Sequence, residues 1–135
     1  MDDAARQQAS DLLYEAWMKG EVIEDLPYSI RPQTRAEGYG VQGLLDKRFA
    51  APLWGWKIAA TSIAGQKHIG VDGPLAGRIF AERVLQPGAT VPASANRMKV
   101  AEVEFAFRFS RDLSPRDKAY SVEEVLAAVG SLHVG

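Results

Sequence analysis

Two glutamates in the segment VAEVEFAFRF, residues 100–109, have the spacing of a candidate metal site. Strand side chains alternate, so Glu102 and Glu104 would share one face, with their side-chain origins about 7 Å apart. Two carboxylates this close raise each other's proton affinity, and a hard cation such as Mg²⁺ or Ca²⁺ removes that cost. The alternative is a half-solvated strand whose acids pair with Lys or Arg. The same alternation predicts that the opposite, aromatic face is buried.

A lysine lies in the middle of the apolar segment LWGWKIAA, residues 53–60, which is predicted to be a short buried strand. An unpaired ammonium is costly to bury, so Lys57 either extends to the sheet edge or is directed at an anionic ligand. Ser62 would then cap a brief helix over residues 63–69, ended by Gly70. A helix N-terminus with hydroxyls beside a lysine is suited to a carboxylate.

A further acid lies in the turn-rich segment VDGPLAG, residues 71–77, which is predicted to be a loop. Asp72 is either an Asx-turn residue that bonds its own backbone or a carboxylate that the loop delivers to a site. A turn is predicted over residues 86–88, a short strand over 90–92 and a loop over 93–97.

Three helices are predicted around these segments. Apolar residues recur at helical spacing over residues 3–19, before a stop at Gly20. Thr34 and Glu37 form a T-x-x-E capping box for a second helix to about residue 50. A third helix begins at the S-x-x-E box of residues 121–124 and runs into residue 130. In the connector over residues 21–32, Leu26 and Tyr28 are the expected anchors.

The amino-acid composition excludes some kinds of functional site and gives no indication of others. The chain has 135 residues, 47% hydrophobic and 24% charged, which is typical of one soluble globular domain. A net charge of −1 gives no electrostatic indication of nucleic acid or an anionic membrane as partner. The absence of cysteine and the presence of two histidines exclude thiolate and histidine-rich metal sites. The polar N-terminus is not a signal peptide, and a cytoplasmic location is expected.

Several motifs in one order resemble the 2-keto-4-pentenoate hydratase and 4-oxalocrotonate decarboxylase group of the fumarylacetoacetate hydrolase superfamily. They are EGYGVQ (residues 37–42), GWKIAATS (55–62), Gln66, GVDGP (70–74), AEVEFAF (101–107) and RDL (111–113). The resemblance covers nearly the whole chain. It implies an α+β fold, with an N-terminal helical segment over residues 1–52 and the first part of a mixed catalytic β-roll over 53–135.

The resemblance also implies residue roles. Glu102 and Glu104 match two carboxylate ligands of a catalytic Mg²⁺ (or Mn²⁺) that binds the keto oxygen and carboxylate of a 2-keto acid. Lys57 would stabilise the developing enolate or assist proton transfer. Ser62 would line the substrate pocket, and Asp72 would be the loop acid. The implied function is a metal-dependent hydratase acting on a 2-hydroxydienoate or 2-keto acid from aromatic catabolism, with no nucleic-acid or membrane partner.

Two departures keep alternatives open. Leu75 stands where many relatives have a second acid, which weakens a plain hydratase assignment and leaves a 4-oxalocrotonate-type decarboxylase as an alternative. Members of the group are about twice this length, and their third metal carboxylate would lie about two residues past Gly135. The chain is therefore expected to lack most of the C-terminal sheet. It is either a fragment of a longer product, whose activity as a short chain is an open question, or a non-catalytic truncated paralogue or accessory subunit. A small α+β domain with a structural glutamate pair is a further alternative.

The expected loss of that sheet has a consequence for association. The aromatic face of residues 105–109 would stay exposed, and large apolar patches rarely remain in contact with water. The chain is therefore expected to form a homo-oligomer or to bind a complementary C-terminal half.

Overall fold

The computed structural model describes residues 1–93 and 98–135, and the chain forms two units, Met1–Ala95 and Asn96–Gly135. Helices and two small antiparallel sheets make the fold α+β, as predicted. The β-roll and the division at residue 52 stay predictions. The loop expected over residues 93–97 falls, from residue 94 onward, outside the described residues. No helix in the described ranges is long and apolar enough to cross a bilayer.

The first unit begins with helix α1, Asp3–Lys19, whose bounds agree with the prediction. The Asp2 carboxylate accepts a hydrogen bond from the N–H of Ala5, and Gly20 ends the helix in the left-handed conformation, with φ of 69°. These caps use backbone groups that every helix leaves unsatisfied at its ends. Both ends of α1 are therefore determined locally.

The connector after α1 contributes to the core of the first unit. A single 3-10 turn, Tyr28–Ile30, brings Ile30 into a buried cluster with Ala9 and Val41. Leu26 packs against this cluster, as predicted. The Tyr28 side chain is 82% exposed, so its prediction as an anchor was wrong.

Helix α2, Arg35–Gly43, begins at the predicted cap but ends earlier than expected. The Thr34 hydroxyl accepts a hydrogen bond from the N–H of Glu37 at 3.2 Å, whereas the Glu37 carboxylate accepts one from the N–H of Gln33. A 3-10 turn, Leu44–Lys47, replaces the expected continuation. Each glycine in α2 weakens a helix by about 1 kcal/mol relative to alanine, which favours this early end.

The first sheet consists of strands β1, Leu53–Ala59, and β2, Leu75–Phe80, which pair antiparallel. The prediction of a buried β1 was wrong, because its Trp54 side chain is 61% exposed and the two other large apolar residues on that face are also exposed. β2 begins inside the segment that was predicted to be a loop up to residue 77. A two-stranded sheet has too few neighbours to bury both faces of a strand.

An aromatic cluster and a set of side-chain hydrogen bonds join this sheet to the helices. Phe80, 2% exposed, stacks on Phe49 with the ring centroids 4.1 Å apart. The Tyr39 hydroxyl accepts a hydrogen bond from the N–H of Ala76 at 3.0 Å. The Gln42 amide donates to the carbonyl of the same alanine at 3.2 Å. Side chains of α2 thus satisfy backbone groups at the edge of β2.

The second unit contains β3, Phe105–Phe109, α4, Val122–Leu126, and β4, Val129–Val134. The capping box at Ser121 and Glu124 is confirmed, since both of its hydrogen bonds are present. The helix expected to run to residue 130 ends at Leu126, because the following residues pair antiparallel with β3 instead. Strand β4 was not predicted.

One strand prediction was confirmed only in part, and another was wrong. The strand expected over residues 100–109 is restricted to β3, and residues 90–92 do not form a strand. The aromatic face of β3 is not buried: Phe105, Phe107 and Phe109 are 73%, 54% and 46% exposed. Among the described residues β3 pairs only with β4, and this two-stranded sheet leaves much of each ring exposed.

Candidate functional site

Lys57 lies in the middle of β1, on the strand face that carries the small residues Gly55 and Ala59. Its partner across the sheet is Gly77. The tryptophans of β1 belong to the opposite face by strand alternation. Small residues around a lysine leave room for another molecule to approach the sheet beside its ammonium group. This position of Lys57 is consistent with both sequence interpretations, a side chain that extends to the sheet edge and one directed at an anionic ligand.

The junction between β1 and the next helix has an unusual backbone. Ala60 has a φ of 55°, in the left-handed region that L-residues seldom occupy. The side-chain amide of Gln66 donates a hydrogen bond to the carbonyl of Ala60 at 3.0 Å and so holds this turn. Strained residues of this kind occur preferentially at functional sites. The Gln66 side chain thus has a structural role at the turn between β1 and the helix.

Ser62 is the N-cap of helix α3, Ile63–Ile69, as predicted. Its hydroxyl accepts a hydrogen bond from the N–H of Gly65 at 3.0 Å. Gly70 ends the helix with a φ of 71°. The side-chain oxygen of Ser62 therefore organises the helix start, and its contact with a substrate stays a prediction.

Asp72 lies in the turn after α3 and forms an ion pair with Arg35, the first residue of α2. The Asp72 side chain is 91% exposed. Arg35 was not identified from the sequence. One local signal was available, because a cation in the first helical turn opposes the helix dipole and so needs another explanation. Its partner is 37 residues away, which no local pattern indicates.

Glu102 and Glu104 belong to the second unit and precede β3. Glu104 exchanges two backbone hydrogen bonds with Gly135, at 2.9 and 3.0 Å, and so extends the β3–β4 ladder by one pair. Among residues 1–93 and 98–135 no group of three or more His, Asp or Glu side chains is arranged to hold a metal ion. Two carboxylates are the donor type that Mg²⁺ prefers, so the pair fits this ion in kind.

The structure thus gathers Lys57, Ser62 and Asp72 on one strand–helix–turn segment of the first unit, and the glutamates on the second unit. Two cavities of the first unit, of about 160 and 230 Å³, are lined by residues of its helical part. Neither cavity is lined by these three side chains.

Comparison with known proteins gives relatives of one type. The chain is 29% identical over 132 residues to the 2-keto-4-pentenoate hydratase of Paraburkholderia xenovorans (strain LB400), covering 96% of this chain and 48% of the relative. It is 33% identical over 112 residues to the TodF product hydratase of Pseudomonas putida (strain F1), covering 81% of this chain and 42% of the relative. A 2-keto-4-pentenoate hydratase of Burkholderia vietnamiensis (strain G4) is 28% identical over 138 residues, covering 98% and 53%.

No family model matches the chain, and no solved structure matches it either. The chain spans about half the length of the curated relatives it matches. Over most of its own length it is therefore similar to proteins named as hydratases, two of them as 2-keto-4-pentenoate hydratases.

Proposed function

We propose that this chain forms part of a hydro-lyase that adds water to a 2-hydroxydienoate, in the manner of the 2-keto-4-pentenoate hydratases of the fumarylacetoacetate hydrolase superfamily. The observation that carries the proposal is the similarity to hydratases over 96% of the chain. All three relatives named above are hydratases, which favours hydration over decarboxylation.

Lys57 and Asp72 are the proposed catalytic residues. The Lys57 ammonium stabilises negative charge on the substrate's enolate oxygen, and the small residues around it, Gly55 and Ala59, leave room for that substrate. Asp72, exposed on its turn, transfers a proton to or from the substrate carbon chain. Ser62 orients the substrate from the start of α3.

Glu102 and Glu104 are the proposed ligands of Mg²⁺ (or Mn²⁺). When bound, the ion supplies Lewis-acid stabilisation of charge on the substrate's 2-oxygen. The two carboxylates contribute hard oxygen donors, and further ligands come from outside this pair, because Mg²⁺ prefers octahedral coordination. The second unit keeps Glu104 in a defined backbone position through its pairing with Gly135.

A hydration assay on the full 135-residue chain tests the proposal. Loss of ultraviolet absorbance of 2-hydroxypenta-2,4-dienoate is followed with and without Mg²⁺ for the wild type and for Lys57→Met. The substitution is expected to lower kcat at least about 100-fold, the usual cost of losing a group that stabilises developing negative charge on oxygen. Lys67→Met is the matched control, since Lys67 is an exposed lysine of α3, and it is expected to leave kcat unchanged.

A metal-binding measurement accompanies the assay. The double variant Glu102→Gln, Glu104→Gln is expected to lose Mg²⁺ affinity in calorimetry. Unchanged Mg²⁺ affinity in the double variant would show that the metal ligands are assigned wrongly. A wild-type chain that binds Mg²⁺ yet neither hydrates the dienoate nor binds a 2-keto acid would contradict the proposed reaction.

A further inference from the structure

An arginine and a methionine connect the end of helix α1 to the turn that follows β2. The Arg83 guanidinium donates a hydrogen bond from Nη2 to the Met18 sulfur, and the nitrogen and sulfur are 3.2 Å apart. Met18 lies in the last turn of α1, and Arg83 ends the 3-10 turn Ala81–Arg83. The bond therefore joins two elements of the first unit that are distant in sequence.

Two aromatic rings determine the position of the Arg83 guanidinium. Its central carbon lies 4.7 Å from the centroid of the Trp17 ring and 5.9 Å from the centroid of the Phe49 ring. A guanidinium over an aromatic face is attracted by the negative charge of that face. Within residues 1–93 and 98–135, Arg83 makes no ion pair with a carboxylate. Its donors are thus held in place without an anionic acceptor.

The Met18 sulfur is a weak acceptor for this donor, and it is open to oxidation. A thioether accepts hydrogen bonds poorly, whereas bonds from a guanidinium to a polar oxygen are among the strong ones. Met18 is 51% exposed, so small oxidants in solution can reach it. Hydrogen peroxide transfers one oxygen atom to the sulfur, which loses two electrons, and the peroxide is reduced to water. The product is a sulfoxide, whose oxygen carries partial negative charge.

The surroundings of Met18 favour this product. A sulfoxide disrupts an apolar core because it places a polar group among apolar ones. At Met18 the new oxygen would instead lie beside a guanidinium. Both side chains are exposed, so they can move apart by the length of one sulfur–oxygen bond without disturbing buried residues.

We propose that Met18 is a reversible oxidation site for peroxides and that Arg83 binds the sulfoxide oxygen. Oxidation then strengthens the contact between α1 and the turn after β2. Two electrons from a dithiol, transferred by a methionine sulfoxide reductase, return the oxygen as water and restore the weaker contact. The site is independent of the proposed hydration reaction, because none of the residues proposed for that reaction takes part in it.

Thermal unfolding before and after peroxide treatment tests the assignment. The full wild-type chain is compared with Arg83→Leu, which keeps an apolar contact with the rings but has no donor. Mass spectrometry of peptides verifies that Met18 is oxidised in both proteins, and Met98, 79% exposed, reports whether both received equal treatment. The change in Tm on oxidation is expected to be at least about 2 °C more favourable in the wild type. Treatment with the reductase is expected to restore the original Tm.

Two further variants serve as controls. Arg83→Lys keeps a charged donor and is expected to retain most of the wild-type response. Met18→Leu removes the sulfur at similar volume and is expected to show no change in Tm with peroxide. Equal changes in the wild type and Arg83→Leu would overturn the inference, as would a wild-type response that persists in Met18→Leu. Met18 that stays reduced while Met98 is oxidised would also refute it.

Discussion

Arg35 and Asp72 form an ion pair between the first turn of α2 and the turn that follows α3. Asp72 was identified from the sequence as a candidate site residue, whereas Arg35 was not. Gly73, next to Asp72, lies close to the same guanidinium, since a Cβ at this position would be 3.5 Å from Arg35 Nη1. The guanidinium thus restricts where the Asp72 turn lies relative to α2.

Removing either member of this pair is expected to affect activity more than stability. Exposed ion pairs contribute at most about 1 kcal/mol, so Arg35→Gln and Asp72→Asn should each change the free energy of unfolding by no more than that. Asp72→Asn should lower kcat about 100-fold as a lost proton-transfer group, and Arg35→Gln by a smaller factor through mispositioning. Chemical denaturation and steady-state kinetics measure the two effects. Wild-type kcat in Asp72→Asn would show that Asp72 has no catalytic role.

The left-handed conformation of Ala60 predicts how a glycine at this position changes stability, and the neighbouring Ala59 provides the control. Ala60→Gly should raise the free energy of unfolding by up to about 1 kcal/mol, because the left-handed conformation costs L-residues about 1–2 kcal/mol. Ala59→Gly, one residue earlier in β1, should lower it, since glycine weakens a strand interior. Thermal unfolding of the two variants provides the comparison. A destabilised Ala60→Gly protein would mean that the alanine methyl group is required at this turn.

The Phe49–Phe80 stack should be the most sensitive position of the first unit. Phe80→Ala is expected to cost about 3–5 kcal/mol, because a nearly fully buried ring leaves a cavity between β2 and its neighbours. Trp54→Ala removes a larger but mostly exposed ring and should cost far less. Urea unfolding of both variants, followed by circular dichroism, measures the difference. Similar losses for the two variants would contradict the assigned core.

Acid should destabilise the second unit through Glu124. The Arg116 side chain and the backbone N–H of Ser121 hydrogen-bond its carboxylate and lower its pKa from 4.5 to about 2. Because the folded-state pKa is the lower one, this carboxylate stabilises the unit fully above about pH 4.5. That contribution is lost as the pH falls toward 2. The carboxyl carbon shift of Glu124, followed by NMR during acidification, reports the pKa.

Two arginine variants test the cause of this shift. Arg116→Met should raise the Glu124 pKa toward 4.5, because Arg116 makes the largest contribution to the shift. Arg111→Met should leave the shift in place. A Glu124 pKa that is the same in the wild type and in Arg116→Met would disprove the assignment.

The exposed aromatic face of β3 is the basis for the prediction that the chain associates with itself or with another chain. Phe105 and Phe107 are more than half exposed, and an apolar face of this kind is unlike the surface of most monomers. We predict that the purified chain associates with itself, and that Phe107→Asp shifts the population toward monomer. Light scattering measures both. A monodisperse wild-type monomer would refute the prediction.

Local signals determined the ends of several elements. Helix α1, the bounds of α3, the glycine stops after both and the Ser121 capping box all follow from residues within one helical turn of the element's end. The turn at residues 86–88 is also confirmed, with the Ala89 N–H bonded to the Gln86 carbonyl. These features need no distant partner, because capping groups and left-handed glycines act on their own backbone neighbours.

Contacts between segments distant in sequence determined the features that local capping and turn signals could not predict. Residues 129 and 130 were predicted to end the last helix, yet they begin β4 because β3 supplies a strand partner. Alternation predicted which residues of β3 share a face, but whether the aromatic face is buried depends on what packs against it. The Arg35–Asp72 pair and the contacts of Tyr39 and Gln42 with Ala76 likewise join segments more than thirty residues apart.

The sequence by itself therefore determined the candidate residues, Lys57, Ser62, Asp72, Glu102 and Glu104, together with the helix ends beside them, because residue type and short spacing are local properties. Only the tertiary structure decided that Asp72 is paired with Arg35 and that His133 lies on the strand face of Glu104 and Arg108. Such relationships depend on strand register and on the packing of distant segments, which no pattern of neighbouring residues specifies.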